Sequence, residues 1–205
     1  RLMRRGLEYK RRKFGRHPRV AGQLSNLGAV LEDLKRPAEA EAAYREALDI
    51  GVATLGEEHD AVTANMNNLG LLLSNTGRYA EAQPFLRRAL AIDERKLGRD
   101  NPAVAIDLMN LALAGCRGRA TEADAALAGR AMDIFSRSDP GSWMVAQARV
   151  FRGTCLTRLG HFAEAERELR GGLQVLERIL GPKSGRVDTA KVRLAELERA
   201  RGNVR

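Results

Sequence analysis

The sequence predicts an all-α protein, a solenoid of antiparallel helix-turn-helix units, on three observations. Apolar residues recur at helical spacing, the helical segments end in glycine-containing turns, and the whole pattern returns with one period. Met66, Leu69, Gly70 and Leu73 fall at i, i+3, i+4 and i+7, one face of a helix. Ala82, Leu86, Ala89 and Leu90 form a second face, with Gln83, Arg87, Arg88 and Asp93 mostly on the opposite side. Asn26-Leu27, Asn68-Leu69 and Asn110-Leu111 stand 42 residues apart, as do Ile50, Ile92 and Ile134. One such hairpin buries too little apolar surface to stand alone, whereas stacked copies share a continuous seam.

Taken in order, the chain starts inside a repeat. Leu2 to Phe14 aligns with the segment that ends at Leu97, so residues 1–15 read as the second helix of an incomplete repeat and the chain as a segment of a longer one. Complete repeats follow over 17–58, 59–100, 101–140 and 141–184, and 185–205 reads as a terminal or capping helix with one face in water. Within the second repeat Thr76-Gly77-Arg78 is the turn, with Gly77 at positive φ. Leu97-Gly98 ends its second helix, Asp100 or Asn101 caps the next, and Pro102 occupies the first turn. The third copy carries one residue more between its turn glycine and its second-helix alanine, which leaves the register of Gly118 to Ala128 open by one. Ser136 to Gly141 replaces the Leu-Gly ending with a turn composition and predicts a bend there. Trp143 reads as a plug between the third and fourth repeats.

Charge is concentrated at one end. Of the formal net charge of +9, residues 1–19 contribute +8 and the remaining 186 residues only +1. Arg4, Arg5, Arg11, Arg12 and Lys13 suit nucleic-acid phosphates or an anionic membrane surface, or else form the solvated face of a helix that packs on a missing N-terminal portion. Aromatic interleaving is limited to Tyr9 and Phe14, which favours the second reading over a nucleic-acid partner. Cys116 and Cys155 lie in helical patterns and read as free, buried thiols of a reducing cytoplasm. His17, His59 and His161 sit in inter-helix loops without metal-ligand spacing, which predicts capping rather than ligation. No apolar run reaches membrane length, and no nucleophile-base pairing or phosphate loop is present, so neither a membrane span, a cofactor nor enzymatic activity is expected.

Leu69, Gly70, Ala82, Leu86 and Ala89 occupy the places that define the tetratricopeptide repeat, which the chain resembles over nearly its whole length. The 42-residue period, the Leu-Gly helix ends, the starts His17-Pro18-Arg19-Val20 and Asn101-Pro102-Ala103-Val104, and the Asn-Asn-Leu-Gly run resemble the longer variant of kinesin light chains. The resemblance implies a right-handed α-solenoid, a superhelix whose first helices line a concave inner face. With Leu69, Gly70 and Leu73 against the partner helix, the stripe two positions earlier looks into that groove. It places Asn26, Asn68, Asn110 and Asn75 beside Leu71, Leu113 and Phe151, and turns basic through Arg117 and Arg158. Asn67 and Ser74 border it.

A ladder of amides offers donors and acceptors to the backbone of an extended peptide whatever its sequence, while the apolar residues supply pockets and the arginines favour an acidic side chain. The competing reading has the asparagines fixing helix-to-helix contacts. The expected function is a protein- or peptide-binding scaffold in a larger multidomain protein. The alternatives are self-association into a homo-oligomer through the solenoid ends, a regulatory arm contacting other domains of the same chain, and a polyanion site on the basic first helix.

Overall fold

The computed structural model describes residues 2–202, and these form ten helices without a strand. Arg1 and residues 203–205 lie outside that description, as do the side chains of Leu2, Met3, Arg4 and Leu7, so the cation Arg4 named above is not placed. The elements are α1 (Leu2–Phe14), α2 (Pro18–Asp33), α3 (Pro37–Leu55), α4 (Asp60–Asn75), α5 (Tyr79–Leu97), α6 (Pro102–Arg117), α7 (Glu122–Ser138), α8 (Trp143–Leu159), α9 (Phe162–Leu180) and α10 (Gly185–Gly202). Their ends are set by local chemistry. Nδ1 of His17 accepts from the Arg19 amide at 3.1 Å, Nδ1 of His59 from Ala61 at 3.1 Å, and Oδ1 of Asn101 from Ala103 at 2.9 Å. Gly77 and Gly98 adopt φ of 82° and 86°, which closes the α4–α5 turn and ends α5.

The open register of the third repeat is resolved inside its turn. Residues 118–121 separate α6 from α7, one more than the 76–78 turn, and Thr121 and Asp124 form a reciprocal capping box. Beyond the turn the 42-residue step is kept, so Ala131 and Ile134 are buried as Ala89 and Ile92 are. On the same step Asp124 stands where α5 has Ala82 and Gly115 where α4 has Leu73. A Cβ on Gly115 would lie 2.0 Å from the Asp124 carboxylate, so the glycine makes the room that the aspartate fills.

The chain divides into two compact units, Arg1–Asp93 and Glu94–Arg205. In the first, α2 packs against α1 and α3, and α4 against α3. Val20, Leu24, Ala47 and Ile50 form one apolar cluster, and Val62, Met66, Ala89 and Ile92 another. Paired helices touch at glycine. A Cβ on Gly28 would come within 2.6 Å of the Tyr44 ring, and one on Gly70 within 2.6 Å of Leu86 Cγ. The buried Tyr44 hydroxyl donates to Glu32 at 2.8 Å, and burial followed by that bond raises the phenol above the ordinary tyrosine range. Second helices and the turns beside them are tied by charge: Arg11 of α1 pairs with Glu46, Arg16 just after α1 with Asp49 at 2.9 Å, and Arg78 in the turn before α5 with Glu41 at 2.6 Å. Part of the basic charge of α1 is therefore neutralised by α3.

In the second unit an apolar cluster draws Cys116, Val150, Leu169, Leu176, Val187 and Leu197 together from α6, α8, α9 and α10. Gly153 approaches Leu169 as Gly70 approaches Leu86, with 2.7 Å left for a Cβ. Trp143 packs on this cluster at the start of α8, and the Arg186 guanidinium of α10 lies 4.0 Å from its ring centroid. The tryptophan thus also serves the junction between the fourth repeat and the terminal helix. The expectation of two free thiols is corrected here. Cys116 and Cys155, both fully buried, are joined in a disulfide that ties α6 to α8 with Cα atoms 5.0 Å apart. Two cysteines 39 residues apart carry no pairing signal in sequence, whereas adjacent first helices bring them face to face. The inference of a reducing cytoplasm from free thiols loses that support.

Two stability changes are expected. Ala82→Leu overpacks the α4–α5 seam, where Ala82 is fully buried, and lowers stability by about 1–3 kcal/mol, read as a fall in thermal midpoint. Reducing the Cys116–Cys155 bond removes a crosslink and costs on the order of 2–4 kcal/mol. Melts with and without dithiothreitol measure it, and thiol alkylation should label neither cysteine before reduction and both after unfolding in reductant.

Candidate functional site

A helix that buries one stripe against its partner presents the adjacent stripe to whatever lies outside. On α2 and α4 the buried stripe is Leu24, Gly28 and Leu31, then Met66, Leu69, Gly70 and Leu73. Asn26 and Asn75 are exposed, and Asn68 and Leu71 are half-buried. In the second unit Asn110, Leu113 and Arg117 are half-buried along one side of α6, Phe151 is half-buried on α8, and Arg158 is exposed at its last turn. None of these nine side chains is fully withdrawn from solvent. The fourth copy of the stripe is turned further inward than its spacing suggests. Gln147 and Thr154 are buried, the Thr154 hydroxyl donates to the Val150 carbonyl at 2.8 Å, and Phe151 packs against the unit's apolar cluster. Ser74 is also buried, 3% exposed, and borders no open face.

In the first unit the N-terminal halves of α2 and α4 enclose, with Lys10 of α1 and the end of α3, a hollow of about 650 Å³. Its walls are made by small residues, Ala21, Gly22, Gly51, Ala61 and Ala64, whose short side chains leave the space open. A Cβ on Gly22 would meet nothing within 4 Å. The polar lining comprises Gln23, Ser25, Asn26, His59 and Asn65, and the cations Lys10 and Arg19 complete it without a carboxylate. Lys10 Nζ donates to Gln23 Oε1 at 2.9 Å, and the Arg19 guanidinium stands 5.5 Å from the Phe14 ring centroid. Asn65 is 3% exposed and its Oδ1 has no hydrogen-bond partner.

A second hollow, about 520 Å³, lies in the other unit between the end of α8, the start of α9 and α10. It gathers Arg158 with Arg193, Thr154 and Thr157, and Arg193 donates to Glu196 at 2.7 Å. The structure thus brings Asn26 together with Asn65, and Arg158 with Arg193. Asn65 was missed because it lies one place off the Ala64, Asn68, Leu71, Asn75 stripe. A signal for it exists: Gln23, Asn65 and Asp107 form a polar column at the 42-residue step, and Asn65 and Asp107 are both buried. Among the described residues no group of His, Cys, Asp or Glu is arranged to hold a metal ion, and no helix is long and apolar enough to cross a membrane.

The two glycines of α2 have opposite surroundings, and alanine substitution separates them. Gly22→Ala faces open space and raises stability by about 0.5–1 kcal/mol through helix propensity. Gly28→Ala collides with Tyr44 and lowers it by about 1–3 kcal/mol. Thermal midpoints that move in the same direction would contradict the placement of the hollow.

The tetratricopeptide repeat model matches residues 19–95 and 62–137, which together cover more than half of the chain. No curated protein sequence matches it. Among solved structures, a protein of Podosopora anserina assigned as a kinesin light chain, with nearly identical TPR-like repeats, superimposes with a TM-score of 0.72 at 18% identity, over 91% of this chain and 89% of that one. A variant of the same protein gives 0.74 over the same shares. BtubC (BKLC) from P. vanneervenii gives 0.75 at 22% identity, over 88% of this chain and 72% of that one. The glycine-to-knob seams, the repeat model and these shared folds lead to one conclusion: the chain belongs to the tetratricopeptide repeat family, in an all-α solenoid fold like that of kinesin light chain repeats.

Proposed function

We propose that the chain is a protein-interaction scaffold whose first helices, taken unit by unit, hold extended peptide segments along their outward stripe. Tetratricopeptide solenoids act generally as interaction scaffolds, and the finer statement rests on one observation. Asn26, Asn68 and Asn110 recur at one repeat position, and none is fully buried, Asn26 exposed and Asn68 and Asn110 half-buried, while Leu69 and Leu111 beside them are buried and Leu27 packs on an apolar cluster. An amide in that position offers both a donor and an acceptor to a passing backbone. Leu71 in the first unit and Leu113 in the second supply apolar contact, and Arg117 and Arg158 favour acidic side chains. Partners are proteins or segments of them, and no catalytic step is assigned to the chain.

A polyanion site on α1 is the second reading. Arg5, Tyr9, Arg12 and Lys13 share a surface hollow of about 460 Å³ with one carboxylate, Glu8, distinct from Arg11, which is paired with Glu46. Retained binding of a random DNA duplex at physiological salt would support it.

The scaffold reading is tested with the 205-residue chain on a peptide array. Asn68→Ala and Asn110→Ala should each weaken array-selected peptides by about tenfold, the value of one well-made hydrogen bond, with thermal midpoints unchanged. Unchanged binding with lowered midpoints would instead assign the asparagines to contacts inside the fold.

A further inference from the structure

We infer that the Cys116–Cys155 bond is a redox latch. Oxidised, it clamps the last turn of α6 against α8; reduced by a dithiol, it releases that turn and shifts Arg117 out of the outward stripe. The consequence for binding rests on the scaffold reading, while the latch itself rests on how α6 ends.

The first helices α2, α4 and α8 close their C-termini in one way, and α6 departs from it. After those three helices a residue at positive φ, Lys35, Gly77 or Gly160, turns the chain back. The next amide then donates into the helix, Arg36 to the Leu31 carbonyl at 2.9 Å, Arg78 to Leu73 at 2.8 Å and His161 to Leu156 at 2.9 Å. Gly118 after α6 has φ of −80° and donates to Ala114 at 3.2 Å, and among the described residues no wrapping bond closes that helix. Gly115, a poor helix former, lies in the same turn. So does Cys116, whereas Cys155 lies well inside α8. The crosslink thus supplies from a neighbouring helix the closure that the backbone of α6 lacks.

Packing at these positions does not require a bond. One repeat earlier the equivalent places hold Ser74 and Ala114, both buried without a crosslink. Cleavage, however, forces a movement. Two sulfurs joined at about 2 Å need about 3.5–4 Å once unbonded, and both cysteines are 0% exposed in a close-packed surround. Because α8 shares its apolar cluster with α9 and α10, the open-ended turn of α6 is the part that yields. Arg117 directly follows Cys116, and Arg158 stands one turn beyond Cys155, so the bond sets the spacing of these two cations.

The exchange is a two-electron step. A thiolate of the reductant attacks Sγ of Cys116 while the turn is frayed, and Cys155 leaves as a thiolate that takes up a proton. The second thiol of the reductant then closes its own disulfide and frees Cys116 in the same way. Both electrons and both protons come from the dithiol, and a disulfide oxidant reverses the step.

Hydrogen exchange read by mass spectrometry tests the latch on the 205-residue chain, oxidised and in dithiothreitol, with reduction confirmed by alkylation after denaturing quench. The Cys116→Ser, Cys155→Ala double variant copies the residues found one repeat earlier and serves as the permanently open form. Amides of residues 115–119 should exchange at least about tenfold faster in the reduced chain and in the double variant, while those of residues 72–76 stay unchanged. Array-selected acidic peptides should bind about tenfold more weakly to the reduced chain, and Arg117→Gln should bind them weakly in both redox states.

Unchanged exchange at 115–119 after confirmed reduction overturns the inference. Protection lost evenly from α6 through α10 overturns it as well, since the bond is then a plain stabilising crosslink. Peptides that bind both redox forms equally, or a redox effect that persists in Arg117→Gln, overturn it too and leave the scaffold reading standing. An array that yields no peptide overturns the scaffold reading alone, and the exchange rates then decide the latch.

Discussion

Each hairpin depends on how closely its two helices approach. Helix axes that pack through Gly28, Gly70 and Gly153 draw near enough for Tyr44, Leu86 and Leu169 to fill the space a Cβ would have taken. The pairing runs at a constant spacing of 16 residues in these three repeats. In the third repeat the same spacing joins Ala112 to Ala128, two small buried residues, and bulk is redistributed around them. Gly115 and the capping aspartate Asp124 exchange the large and small roles that Leu73 and Ala82 play one repeat earlier. The third repeat thus closes its seam with a different pair of large and small residues, at a different place along the helices.

Fixing that seam also fixes what faces outward. Once Leu69, Gly70 and Leu73 are committed to the partner helix, a turn of 3.6 residues leaves Asn68, Leu71 and Asn75 toward solvent without any further choice. The polar column one place round the helix has a different status. Gln23 satisfies its amide with Lys10, whereas Asn65 is buried with an acceptor unmet. Two residues at the same repeat position thus diverge because of the side chains their neighbours happen to carry.

The basic end of the sequence is less free than its composition suggests. Arg11 and Arg16 reach carboxylates of α3, Lys10 is engaged by α2, and Lys13 and Arg19 lie near the Phe14 ring. Exposed pairs of this kind contribute little individually, but they remove charge from the surface that a polyanion would meet. The acidic partners lie 33 to 35 residues away in sequence, close to one repeat, so the excess charge of residues 1–19 and the residues that balance part of it belong to the same packing step.

The amino-acid sequence by itself determined the periodic features of this protein. Helix spans, the turn at Gly77, the caps at His17, His59 and Asn101, and the solvent-facing stripe all follow from spacings of a few residues and from a 42-residue step, because backbone hydrogen bonding and capping act locally. Only the tertiary structure decided what depends on distance between helices. It joined Cys116 to Cys155, lengthened the turn before α7 by starting that helix one residue later, turned Gln147 and Thr154 inward, and opened a recess over Gly22 with Asn65 in its wall. These outcomes are set by a few ångströms of approach between neighbouring helices, a quantity fixed by the sizes of side chains on several helices at once and legible in none of them alone.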